Sequence, residues 1–277
     1  MARLPLKMYS LIGLIIILTA EVLLFSGVPV IGVWFTPIAW TGFIMFADGI
    51  VLSRTGTSLL MRYSWKMIIF CLFSIGFWLI FEGYNRLIQN WYYTGLPSNL
   101  IVRYTGYCWS FATIFPAIFE MRDLLACFGV FTNVRFPRFS LSKAPVYVLI
   151  GIGGIFILYP LFQPSEYLFP FVWTGFVFLL DPLNLLLGER SLLKELSEGK
   201  LRELLLLFLS GLLCGVLWEF WNYWSESQWH YDVPFPPNVK IFEMPLFGWL
   251  GFPPFAVECF VMWTTAKAVL KRICINF

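Results

Sequence analysis

The segment P-I-A-W-T-G-F-I-M-F-A-D at residues 37–48 returns as P-F-V-W-T-G-F-V-F-L-L-D at residues 170–181. Trp40 and Trp173, Asp48 and Asp181, and Ser58 and Ser191 (each serine opening an S-L-L) all stand 133 residues apart. Further along, F-E-G-Y-N (81–85) matches W-E-F-W-N (218–222), which pairs Glu82 with Glu219 and Asn85 with Asn222 at an offset of 137. Trp91 and Tyr93 match Trp229 and Tyr231 at 138, and P-A-I-F-E (116–120) matches P-F-A-V-E (254–258) at the same offset, Glu120 with Glu258. The offset drifts only between apolar runs, where insertions are tolerated. Apolar composition by itself would not keep scarce acids in register. The chain therefore reads as a duplication, with residues 1–140 as the first unit and 141–277 as the second.

The quoted segment is one of eight apolar runs, near 9–27, 37–54, 66–86, 105–127, 145–163, 168–187, 203–223 and 247–268. Crossing about 30 Å of hydrocarbon takes roughly 20 mostly apolar residues in a helix. The runs are long and unbroken, unlike the ten-residue alternation of barrel strands. Of the 277 residues, 59% are hydrophobic and 13% charged, more apolar and less charged than an ordinary soluble domain. The expected fold is an all-α polytopic membrane protein of about eight transmembrane helices, arranged as two tandem parallel four-helix repeats.

Charge placement gives the expected orientation. Sixteen of the 19 Lys and Arg residues fall on the side of the termini and the even-numbered loops, with Arg122 inside a span, while Arg86, Arg103 and Lys240 fall on the other side. The positive-inside rule then puts both termini in the cytoplasm. Four spans per unit bring both units into the membrane in the same direction, which predicts a pseudo-twofold axis along the membrane normal.

A net charge of +3 gives no reason to expect nucleic acid. The single histidine, His230, excludes bis-histidine haem held by this chain alone. Six cysteines without a C-x-x-C pair argue against a zinc site or disulfide framework. No phosphate loop, H-E-x-x-H or G-x-S-x-G is present. No metal and no cofactor is expected.

The candidates for chemistry are the acids of the repeat, because charge within a bilayer is costly and rarely kept without use. Asp48 and Asp181 each precede a Gly or Pro near a helix end and read as structural acids. Glu82, Glu219, Glu120 and Glu258 read as catalytic, with Asn85 and Asn222 three residues after the first pair and on the same helical face. Glu120 is expected to ion-pair with Arg122. Apolar surroundings favour a carboxyl's neutral, proton-carrying form. Aromatic residues make up 20% of the chain, 13 of them Trp, and aromatic faces attract cations. Trp218, Trp229, His230, Tyr231, Trp91 and Tyr93 are the expected substrate-binding residues. G-L-L-C-G (211–215) reads as a close helix contact, and the charged stretch 189–204 as an amphipathic helix.

Within each half, W-L-I-F-E (78–82) and W-E (218–219), then N-W-Y-Y (90–93) and Q-W-H-Y (228–231), then P-A-I-F-E and P-F-A-V-E follow one order. This order resembles the lycopene cyclase domain of the heterodimer-type carotenoid cyclases. The Pro-to-Glu motif has one extra residue here and lacks the doubled glutamate, and F-E-M-P (242–245) is added in the second half. The resemblance implies a membrane carboxylic acid that protonates a polyene double bond, and aromatics that face the resulting cation. It implies cyclisation, hydration or isomerisation of an apolar isoprenoid, without a redox cofactor. Two other readings stay open: a proton-coupled carrier, and a lipid- or pigment-binding subunit of a larger membrane complex.

Overall fold

A computed structural model describes residues 5–234 and 239–273. Arg3, Asn238 and Cys274 lie outside the described residues. Eight long helices dominate: α1 (Met8–Phe25), α2 (Pro29–Thr55), α4 (Met67–Ile88), α5 (Leu100–Cys127), α6 (Lys143–Phe162), α7 (Phe169–Leu186), α9 (Arg202–Trp224) and α10 (Phe252–Arg272). Two short helices, α3 (Leu59–Tyr63) and α8 (Leu192–Ser197), fill the α2–α4 and α7–α9 connections. Strands β1 (Trp91–Thr94) and β2 (Gln228–Tyr231) pair antiparallel, and β3 (Lys240–Ile241) pairs with β4 (Met244–Pro245).

Among the described residues, seven segments are long and apolar enough to cross a membrane, and the chain is an all-α membrane protein on that ground. The long helix outside that set is α5, which carries Arg103, Glu120, Arg122 and Asp123 beside several Tyr, Thr and Ser residues. Its position explains the polarity. It packs against α2, α4, α9 and α10, so protein rather than lipid covers most of its sides. At the periphery, α1 and α6 show the opposite: Ile15 is 60% and Phe162 76% exposed. Apolar surface on that scale needs lipid or a partner to cover it.

Close packing is set by small residues. A Cβ on Gly13 would lie 2.6 Å from the Gly42 carbonyl oxygen, and one on Gly153 would lie 2.8 Å from that of Gly175. Thus α1 seats on α2, and α6 on α7, through paired glycines. In the G-L-L-C-G stretch a Cβ on Gly211 would meet the Phe252 carbonyl oxygen at 2.2 Å, so α9 and α10 approach backbone to backbone here.

The helix ends sort into two poles. At one, Arg54 donates to the Cys127 carbonyl, Arg202 to those of Ala126 and Val130, and Lys271 pairs with Glu189. We term this the basic end. At the other, the β1–β2 ribbon bridges the α4–α5 and α9–α10 connections. The Asn90 side chain there donates to the Glu166 carbonyl, and Ser225 to that of Gly32. The expected long amphipathic helix over 189–204 is absent: only Leu192–Ser197 is helical before α9, because Gly199, at φ +83°, turns the chain.

Candidate functional site

Asp48 and Asp181 work at the basic end. Asp48 accepts from the Leu60 amide at 2.8 Å and the Tyr9 hydroxyl at 2.5 Å. Asp181 accepts from the amides of Leu192 and Leu193 and from the Ser191 hydroxyl. Ser58 and Ser191 cap α3 and α8 by accepting from the amides of Met61 and Lys194. These acids therefore hold the first turns of the two short helices.

Glu120 and Glu258 are fully buried, and neither carboxyl has a hydrogen-bond partner among the described residues. The expected Glu120–Arg122 pair does not form. Arg122 instead grips Glu203 through two hydrogen bonds and reaches Asp123 at 2.5 Å, while Arg62 also pairs with Asp123 and Arg190 with Glu203. The reason is helical phase: two residues along a helix is about 200°, so Glu120 and Arg122 leave α5 on opposite sides. Glu120 and Glu258 also differ from each other. Glu120 faces the Asp48 carboxyl, whereas no charged group stands close to Glu258. Ser74 on α4 donates to the Phe111 carbonyl, and Gly211, its counterpart at 137, abuts that of Phe252. Residues 111 and 252 differ by 141. The contacts along α5 and α10 therefore run one helical turn away from the offset of 138 that the Pro-to-Glu motifs suggest.

The remaining candidates meet at the ribbon end. Asn85 and Asn222 do not bond the glutamates. Asn85 donates to the Trp91 carbonyl and accepts from the Trp91 amide, and Asn222 does the same with Trp229. Each asparagine thus ties one strand to the helix below it. The Glu82 Oε1 atom accepts from the Trp78 indole (2.9 Å), the Trp91 indole (3.2 Å) and the Tyr93 hydroxyl (2.5 Å). On the other side the Tyr231 hydroxyl donates to Glu219 Oε1 at 2.8 Å and accepts from the Trp229 indole at 2.9 Å. Burial, reinforced by the carboxylate each one touches, holds the Tyr93 and Tyr231 hydroxyls protonated well above the usual phenol range.

Together these side chains wall a cleft whose space, open mouth included, is about 1120 Å³. Trp40, Trp78, Trp91, Trp173, Trp218 and Trp229 line it, with Tyr93, Tyr107 and Tyr231 among them. Five of the six expected substrate-binding residues are present. His230 is not, because successive strand residues point to opposite faces. It projects away from the cleft, stacks on Tyr92, and contacts Thr94 Oγ1 at 2.9 Å and Glu243 at 3.0 Å. Among the described residues no carboxylate lines the cleft: Glu82 and Glu219 reach it only through the Trp and Tyr groups they hold. Sequence reasoning missed Trp40, Trp173, Trp78, Tyr107 and Arg103 as lining residues. The repeated W-T-G at 40–42 and 173–175 was the available signal for the first two.

The arrangement can bind an apolar molecule against aromatic faces and present it with two hydroxyl–carboxyl pairs able to pass protons. A comparison of the chain with family models, curated proteins and solved structures found no match.

Proposed function

We propose that this protein binds an apolar isoprenoid in the aromatic cleft and moves protons on it, as a cofactor-independent cyclase, hydratase or isomerase of the carotenoid type. The reading includes eight spans in two tandem parallel repeats, with the basic end and both termini cytoplasmic and the ribbon outside. The 16-to-3 bias of basic residues supports the orientation. One observation carries the functional reading: the Tyr93 and Tyr231 hydroxyls line one cleft, each bonded to a glutamate behind it, Glu82 and Glu219.

Two such pairs suit a redox-neutral reaction. From a pair loaded with a proton, the hydroxyl delivers it to a carbon–carbon double bond and is refilled by its glutamate. The π electrons form the new C–H bond, and the cation left on the neighbouring carbon faces tryptophan rings. The unloaded pair takes a proton back from an adjacent carbon, its tyrosine hydrogen passing to the glutamate. One proton enters, one leaves, and no electrons are exchanged.

The test is incubation of the purified protein with a linear polyene in D₂O, with mass spectrometry of the recovered isoprenoid. Deuterium on carbon, lost in the Glu82→Gln, Glu219→Gln double variant, is the expected result. Retention of the polyene without deuterium exchange would reject catalysis. It would favour instead a pigment-binding subunit, a reading supported by the absence of any carboxylate from the cleft wall.

A further inference from the structure

Within the aromatic wall of the cleft stands one charged side chain, Arg103. It lies in the first turn of α5, where the Asn99 side chain caps the helix by accepting from the amides of Ile101 and Val102. Its Nε donates to the Pro97 carbonyl at 2.9 Å, which fixes the guanidinium plane between Pro97 and the cleft. Among the described residues no carboxylate pairs with it, and its two terminal nitrogens make no hydrogen bond to protein. Its placement runs against two preferences. A cation at a helix N-terminus opposes the helix dipole, and the ribbon end holds few basic residues. Of the other two there, Lys240 stands 3.9 Å from Glu243, and Arg86 is exposed outside the cleft.

An anion brought to this point would meet a half-buried planar fork of donors, the geometry that grips phosphate and carboxylate oxygens. It would also satisfy the dipole that Arg103 now opposes. We propose that the natural ligand is an anionic amphiphile, with its phosphate-type head on Arg103 and its hydrocarbon tail among Trp40, Trp78 and Trp218. This rests on the cleft being a binding site, and it narrows the substrate class from a neutral polyene to an isoprenoid or lipid with an acidic head. The same chemistry is offered by an isoprenoid phosphate and by an anionic phospholipid of the surrounding bilayer.

Tryptophan fluorescence of the full-length protein in a neutral detergent, titrated with farnesol and with farnesyl monophosphate, tests the idea. The phosphate is expected to bind at least tenfold tighter than the alcohol. Arg103→Gln should abolish that preference while leaving farnesol affinity and thermal midpoint near wild type, and Arg103→Lys should keep part of it. Competition by phosphatidylglycerol at equal concentration would identify the lipid as the source, and its failure to compete would identify the isoprenoid phosphate. Equal affinity for the two farnesyl compounds, or a phosphate preference that survives in Arg103→Gln, overturns the inference and leaves the cleft reading standing. If neither compound binds, both fall.

Discussion

Tyr92 and His230 are direct partners across the β1–β2 ribbon, with their rings stacked at 5.4 Å and 30°. They are also counterparts in sequence, 138 residues apart like Trp91 and Trp229. An antiparallel pair in which a residue meets its own counterpart has a local twofold axis at that residue. The register follows, with Trp91 opposite Tyr231 and Tyr93 opposite Trp229. Both Trp–x–Tyr faces therefore turn to the same side, over one cleft.

Because His230 projects from the other face, His230→Gln should leave ligand affinity in the cleft within about twofold of wild type, while loss of the Tyr92 stack costs about 1 kcal/mol of stability. Fluorescence titration together with thermal unfolding in detergent checks both. A tenfold loss of affinity would mean that the ring reaches the ligand.

Tyr93→Phe and Tyr231→Phe keep the aromatic surface and remove the hydroxyl. Each should lower deuterium transfer to substrate by about 10²–10⁴-fold, with ligand affinity little changed. In Tyr231→Phe the buried Glu219 also loses a donor, which should cost about 1–3 kcal/mol. Unchanged transfer in the double variant would remove the hydroxyls from the mechanism.

Asn85→Ala and Asn222→Ala each delete two hydrogen bonds to a strand backbone. Asn222 is wholly buried, so its loss should cost about 1–3 kcal/mol. Hydrogen exchange at the Trp91 and Trp229 amides should rise sharply, each in its own variant. An effect on transfer without faster exchange would point to a chemical role for the asparagine.

Among the described residues, Glu258 has neither a hydrogen-bond partner nor a place in the cleft wall. Replacement by methionine, of similar volume and no polarity, should raise stability by about 1–3 kcal/mol by removing an unsatisfied buried group. Activity should persist. Loss of turnover in a well-folded Glu258→Met protein would return this acid to the reaction.

For orientation, a reporter fused after Phe277 should be cytoplasmic and one inserted near Asn238 external. A C-terminal reporter found outside would require an odd number of spans.

The sequence by itself determined what depends on neighbours along the chain. Run length and apolar content located the long helices, and the recurring aromatics Trp91, Tyr93, Trp229 and Tyr231 named part of the cleft. Tertiary structure decided what depends on which faces meet. Strand alternation excluded His230 while keeping Trp229 and Tyr231. The phase of α5 gave Arg122 to Glu203, 81 residues away, and left Glu120 opposite Asp48. One helical turn of difference between the α5 and α10 contacts gave Glu258 other surroundings than Glu120. Only the assembled bundle put Arg103 beside tryptophans from four helices (α2, α4, α7 and α9) and both strands of the ribbon. The physical reason is common to these cases. Hydrophobic periodicity is a property of a segment and survives in its composition, whereas a polar side chain's partner is chosen by the rotation and slide of one segment against another, which no single segment encodes.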